Sequence, residues 1–207
     1  MPPRFKTVPG LTFFKLLGSG KGRVFSLTPD FYLYGLMAVW EAEAAADNFF
    51  THSEIFNQYQ QHCHETWTIK LEPTKAHGLW DGKTPFMPTA AVIDKNEKIA
   101  VLTRAAINVR ALPAFWRYGV QTSKALEEAT GLIAAVGLGE LPFVRQATFS
   151  IWENENHMRQ YAYQSAHHQE VIKKTRQENW YHEELFARFR VLSATGFWKG
   201  RNPLANI

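Results

Sequence analysis

Runs of apolar and β-branched residues of strand length alternate along the chain with polar stretches whose apolar positions recur at helical spacing, the pattern of an α+β protein. Ile99–Ile107 reads as a strand. Residues 112–129 read as a helix, because Phe115, Trp116, Val120 and Leu126 return on one face. Strands follow at 132–136 and 144–152, then helices from about 154 to 181 and a last strand at 185–192. The order β-α-β-β-α-β is the ferredoxin-like arrangement.

The same pattern occurs earlier in the chain, and a duplication fixes architecture more firmly than local propensity does. FYLYGLMAVWEAE, holding Trp40-Glu41, parallels FVRQATFSIWENE, holding Trp152-Glu153. LWDGKTPF, from Leu79, parallels FWKGRNPL, from Phe197: both read apolar-Trp-x-Gly-basic-x-Pro-apolar. Gly18-Ser19-Gly20 and Gly137-Leu138-Gly139 stand before each Trp-ended strand and read as matching turns. The sequence therefore predicts one domain over residues 1–207 made of two fused repeats, a truncated one over about 1–90 and a complete one over about 97–207. The first repeat lacks its initial strand and helix, since only residues 1–10 precede its first strand at 11–17. That omission exposes a sheet edge, and an open apolar edge invites uncontrolled pairing, so the expectation is that a partner subunit covers it in a homodimer.

With 207 residues, 45% of them hydrophobic, the chain can bury a core without covalent staples. Cys63 is the only cysteine, which excludes an internal disulfide and any thiolate cluster. The longest apolar runs fall far short of the roughly 20 residues a membrane helix needs, and MPPRFKTVPG contains no secretory core, so a cytoplasmic place is expected. A net charge of +4 is mildly basic, but Lys and Arg form no dense run. Nucleic acid is therefore not an expected partner, whereas an anionic inner-membrane surface or an acidic electron donor remains compatible with the charge.

Among candidate chemical groups, the histidines come first, because imidazole serves both proton transfer and metal ligation near neutral pH. His62 and His64 flank Cys63 at a spacing that points them to different helix faces, and no HExxH or zinc-type set occurs. His167 and His168 differ. They open the helix HHQEVIKKTR after Gln164-Ser165, and His168 stands where the first repeat has Phe56, as when one of two duplicated cavities is specialised. An exposed histidine pair is the alternative. In WYHEELFARFRV, Arg188 and Arg190 alternate with Phe189 and Val191, and Glu183-Glu184 are expected to pair with these arginines.

The segments FKLLGSG, VLTRAAI, VGLGELP, TFSIW, ENWYHEELFARFRV and GFWKGRNPL, in this order from about Leu11 to Leu204, resemble the spheroidene monooxygenase family of carotenoid-oxidising enzymes. The resemblance implies a dimeric α+β barrel type of fold and a haem whose iron is held by His168, with His167 as the fallback. It also matches Arg104 of LTRAA and Ser150 of TFSIW, which it implies as catalytic contacts to bound oxygen or to a haem propionate. The family normally has the strand and helix that the first repeat here lacks. The implied activity is haem-dependent monooxygenation of a long apolar, carotenoid-like small molecule, with electrons from an external donor such as reduced ferredoxin. The alternative is a non-catalytic barrel protein that binds haem or an apolar ligand without turnover.

Overall fold

The computed structural model describes residues 5–22, 24–90, 94–164 and 173–205. Its strands are β1 (Leu11–Gly20), β2 (Pro29–Trp40), β3 (Trp67–Gly78), β4 (Ile99–Ile107), β5 (Leu132–Leu141), β6 (Arg145–Trp152) and β7 (Tyr181–Gly196). Its helices are α1 (Glu43–His52), α2 (Glu54–His62), α3 (Leu112–Glu127) and α4 (Glu155–Gln164), with a 3-10 turn at Val109–Ala111. The seven strands form one sheet in the order β2-β1-β5-β6-β4-β7-β3. The second repeat is β4-α3-β5-β6-α4-β7, the predicted ferredoxin-like order, and the first holds β1-β2-α1-α2-β3.

Local chemistry accounts for the helix boundaries. Ser53 stops α1 in an extended conformation and its hydroxyl accepts the Ile55 amide, so one residue ends a helix and caps the next. Pro113 sits in the first turn of α3, where its missing N–H costs nothing.

Both predicted Gly-x-Gly turns are instead strand. Gly18-Ser19-Gly20 ends β1, and Gly137-Leu138-Gly139 lies inside β5. The two motifs pair with each other, Gly18 opposite Gly139 and Ser19 opposite Leu138. Close approach is the reason for glycine here: a Cβ on Gly137 would lie 1.5 Å from the Val24 carbonyl oxygen. The real turn follows at residues 142–144, where Phe143 takes φ +67° and its carbonyl accepts the Trp116 indole N–H at 3.1 Å.

The chain separates into two compact units, each drawing on both repeats. The smaller contains Met1–Leu16, Leu36–Lys70 and Leu192–Ile207; the larger contains Leu17–Gly35 and Leu71–Val191. In the smaller, Phe5 is buried against Phe14, Phe49 and Tyr59, and the Trp40 ring packs on Phe49 at 5.1 Å.

In the larger unit, β4 runs between β6 and β7 in uninterrupted antiparallel register from Ile99 to Ala106. Strand alternation sends its residues to opposite faces. Ile99 and Val101 join Leu126, Trp152 and Met158 under α3 and α4, while Ile107 joins Phe115, Trp116 and Trp180. Ala100 and Leu102 stand opposite Phe189 and Ala187 on the other face, where Phe86 meets the Phe189 ring edge-on at 5.0 Å. Among the described residues, no helix is long and apolar enough to cross a membrane.

Candidate functional site

The repeated Trp-x-Gly motif builds the same device in each unit. In the larger, Trp80 and Lys83 close a bridge around Asp81 and Gly82, at φ +51° and +70°. In the smaller, Trp198 and Arg201 close a bridge around Lys199 and Gly200, at φ +55° and +74°. Two successive positive φ values turn two backbone N–H groups toward one point, a small anion cradle. A carboxylate fills each. Glu183 accepts the amides of Asp81 at 2.9 Å and Gly82 at 2.7 Å, and Glu65 accepts those of Lys199 at 2.6 Å and Gly200 at 2.9 Å. Each glutamate belongs to the repeat other than that of the turn it holds. The sequence signal that finds them is the His-Glu dipeptide, His64-Glu65 and His182-Glu183.

Arg104 sits beside the larger unit's turn. Its side chain is 1% exposed; it donates to Glu183, to Glu140 at 3.1 Å and to Asp81 at 3.5 Å, over the Trp80 ring at 5.7 Å. Arg145 reaches Asp81 at 3.1 Å. Two guanidinium groups thus face three carboxylates, and each of the three Arg104 nitrogens donates within the cluster. Glu140, Asp81 and Arg145 belong to this arrangement and sequence reasoning did not select them. The predicted pairing of Glu183 and Glu184 with Arg188 or Arg190 is not the one observed. Arg188 pairs with Glu155, and Arg190 with Glu72 and Glu97: both point to the face opposite Glu183, while Glu184, on their own face, stands four or six residues away along the extended strand.

Ser150 is buried and its hydroxyl accepts the Trp152 indole N–H at 3.0 Å. It stands opposite Val101 on β4, whereas Arg104 stands opposite Ala147 on β6. Residues 101 and 104 differ by an odd number along an unbroken strand, so Ser150 and Arg104 project from opposite faces of the sheet. The structure does not bring these two predicted residues into one site.

His167 and His168 lie outside the described residues, beyond the end of α4 at Gln164. The helix-covered face that α4 packs on is apolar: Trp152 and Met158 are buried, and Tyr161 stacks obliquely on Trp152 at 5.4 Å. Burial pushes the Tyr161 phenol up to about 12. Burial, with the Glu184 charge second, also raises Tyr181. Both are neutral near pH 7. A haem asks for one imidazole and an apolar wall rather than a ligand cluster; on this face Trp152 and Met158 are packed core residues with Tyr161 against them. Among the described residues, no group of three or more His, Cys, Asp and Glu could hold a metal ion.

A separate cavity of about 270 Å³ lies in the smaller unit, lined by Val8, Phe49, His52 and Glu54 among others. It falls below the roughly 300–1,000 Å³ usual for small-molecule pockets.

No family model matches the chain. Among solved structures, the backbone is similar to that of a protein from Fusobacterium nucleatum (TM-score 0.47, 10% identity, 95% of this chain and 82% of that one). A protein from Lactobacillus acidophilus is also similar (TM-score 0.44, 12% identity, 92% and 82%). By sequence, the chain is 37% identical to the spheroidene monooxygenase of Cereibacter sphaeroides over 95% of its own length, and spans 61% of that relative. It is 36% identical to the spheroidene monooxygenase of Rhodobacter capsulatus, covering 96% of this chain and 83% of that one. With the spheroidene monooxygenase of Rubrivivax gelatinosus the identity is 39%, covering 93% and 73%. Identity at this level, sustained along nearly the whole chain, places it in the spheroidene monooxygenase family.

Proposed function

We propose that the chain is a monooxygenase that inserts one oxygen atom into a long apolar, carotenoid-like molecule. The observation that carries this reading is the 36–39% identity to three spheroidene monooxygenases over 93–96% of the chain. The reaction balances when one atom of dioxygen enters a C–H bond and the other leaves as water, with two electrons and two protons supplied from outside. An external donor such as reduced ferredoxin supplies the electrons. Haem, when bound, supplies the binding and activation of dioxygen that amino-acid side chains cannot.

In this reading His168 holds the iron, with His167 as the fallback. The wall of Trp152, Met158 and Tyr161 supports that part of the site from the helix-covered face. Apolar walls of this kind recognise shape and length, which suits a hydrocarbon substrate. Ser150, on the same face, holds the Trp152 indole in place and is a positioning residue. Arg104 acts from the opposite face by fixing the Trp80 turn, so it too positions rather than touches substrate. The protein works in the cytoplasm, in peripheral contact with the inner membrane surface, where an apolar substrate is available.

The test is spectroscopic first and chemical second. Purified protein given hemin is expected to develop a Soret band, which His168→Ala abolishes. Reduced ferredoxin, oxygen and an acyclic carotenoid then yield an oxygenated product. A protein that stays colourless, with a spectrum indifferent to His168→Ala, overturns the haem assignment. Haem binding without product overturns the monooxygenase and leaves a binding protein.

A further inference from the structure

We infer that the larger unit carries a docking face for an acidic electron-transfer protein, a basic corner built on the Tyr118 and Trp180 rings where α3 meets the helical stretch 173–177. The inference deepens the proposed function and rests on it for one point, that the electrons come from outside.

The corner is anchored in the core. Trp180 is buried with Phe115 and Trp116. Its N–H donates to the Thr175 carbonyl at 3.0 Å, and its carbonyl accepts the Asn108 amide at 2.7 Å. The Asn108 side chain also donates to the Asn179 carbonyl at 2.7 Å, so the 3-10 turn before α3 is fastened to residues 173–180. Tyr118 of α3 packs on Trp180 at 5.8 Å. Two cations from different elements share the Tyr118 ring, the Arg117 guanidinium at 5.3 Å and the Lys174 ammonium at 5.0 Å. The negative face of the ring offsets part of their mutual repulsion, and the result is a concentrated positive field on a rigid support.

Further charge surrounds this pair. Arg110, Lys173 and Arg176, like Arg117, are exposed. Among the described residues none of these four forms an ion pair with a carboxylate, whereas Arg145, Arg159, Arg188 and Arg190 of the same unit are all paired. Glu178, beside them, accepts the Trp180 indole N–H at 2.7 Å and leaves the corner strongly basic.

The surroundings specify the occupant. A face that binds a bilayer inserts large apolar side chains beside its cations; here the exposed apolar neighbours are Val109 and, at the margin, Val120. Cations around a small apolar centre suit a protein instead, and electron-transfer encounters are small and steered by charge. The proposed oxygenation consumes two electrons, so two one-electron donors are oxidised for each oxygen atom inserted. The stretch 173–177 begins five residues after His168, the proposed iron ligand, in the sequence. A donor seated here meets the same segment of chain that the proposed function assigns to the cofactor.

The probe is an oxidised plant-type [2Fe–2S] ferredoxin titrated into the full chain by calorimetry, a readout that needs neither haem nor turnover. Binding is expected at low salt and weakens as salt rises. Lys173→Glu with Arg176→Glu weakens it about tenfold or more, and Arg117→Gln, which removes one cation and leaves Tyr118 on Trp180, weakens it by a smaller factor. Lys75→Glu with Lys95→Glu, on β3 and in the loop before β4, makes the same change in net charge at exposed positions and leaves binding unchanged. Equal weakening by the two pairs, or no binding, overturns the docking face. So does attachment to phosphatidylglycerol vesicles that Lys173→Glu with Arg176→Glu abolishes while ferredoxin binding is untouched, because the corner would then belong to the membrane. A chain that binds ferredoxin through the corner yet never takes up haem keeps the docking face and sinks the haem assignment; haem-dependent turnover with ferredoxin binding indifferent to the corner does the reverse.

Discussion

Burial works to raise the Glu183 carboxyl, yet the amides of Gly82 and Asp81 and the Arg104 guanidinium together hold it below its ordinary 4.5. A carboxylate with a depressed folded value contributes stability that is complete above its unfolded value and lost as pH falls through the folded one. Denaturant midpoints are therefore expected to fall as pH drops below about 4, and Glu183→Gln is expected to flatten that acid limb. Arg104→Ala leaves three carboxylates crowded without their shared cation and is expected to cost about 3–5 kcal/mol in urea unfolding. An Arg104→Ala protein of unchanged stability that has lost turnover would place Arg104 in the chemistry instead. Arg104 and Ser150 stood out in the sequence, but their separation to opposite faces did not, because facing depends on the exact register of β4 against β6.

Among the elements, β5 departs most from its sequence pattern, because glycine marks turns in most contexts and here marks contact. Gly137→Ala would drive a methyl group into the Val24 carbonyl, and the expected cost is about 3 kcal/mol in thermal or chemical unfolding. Gly22→Ala has nothing within 4 Å to meet but does carry φ +84°, so its smaller penalty separates backbone strain from crowding. Strands with strong β-branched runs, such as Ile99–Ile107, were legible to the residue. The last strand was recognised but underestimated: Tyr181–Gly196 runs 16 residues, and its polar ends are held by pairing rather than by propensity. The Trp-x-Gly turns were readable as a repeat because two positive φ values leave few residue choices.

Across the whole molecule, protection should follow strand position. Native-state hydrogen exchange is expected to be slowest in β4 and β6, which are bonded on both sides and largely buried, and fastest among strands in β2 and β3. Equal protection in β3 and β4 would contradict this ordering. The ferredoxin-like order and the duplication are both legible in the sequence, since each rests on periodicity and repeated motifs. The glutamate cradles are not, because each joins residues more than 100 positions apart.

That exchange of cradles has a consequence for cutting the polypeptide. A nick between the repeats, near residue 92, would give two fragments, each carrying a glutamate whose turn is on the other piece and a turn whose glutamate is on the other piece. Neither fragment should accumulate in soluble form alone, while co-expressed fragments should reassemble and co-purify through a tag on one of them.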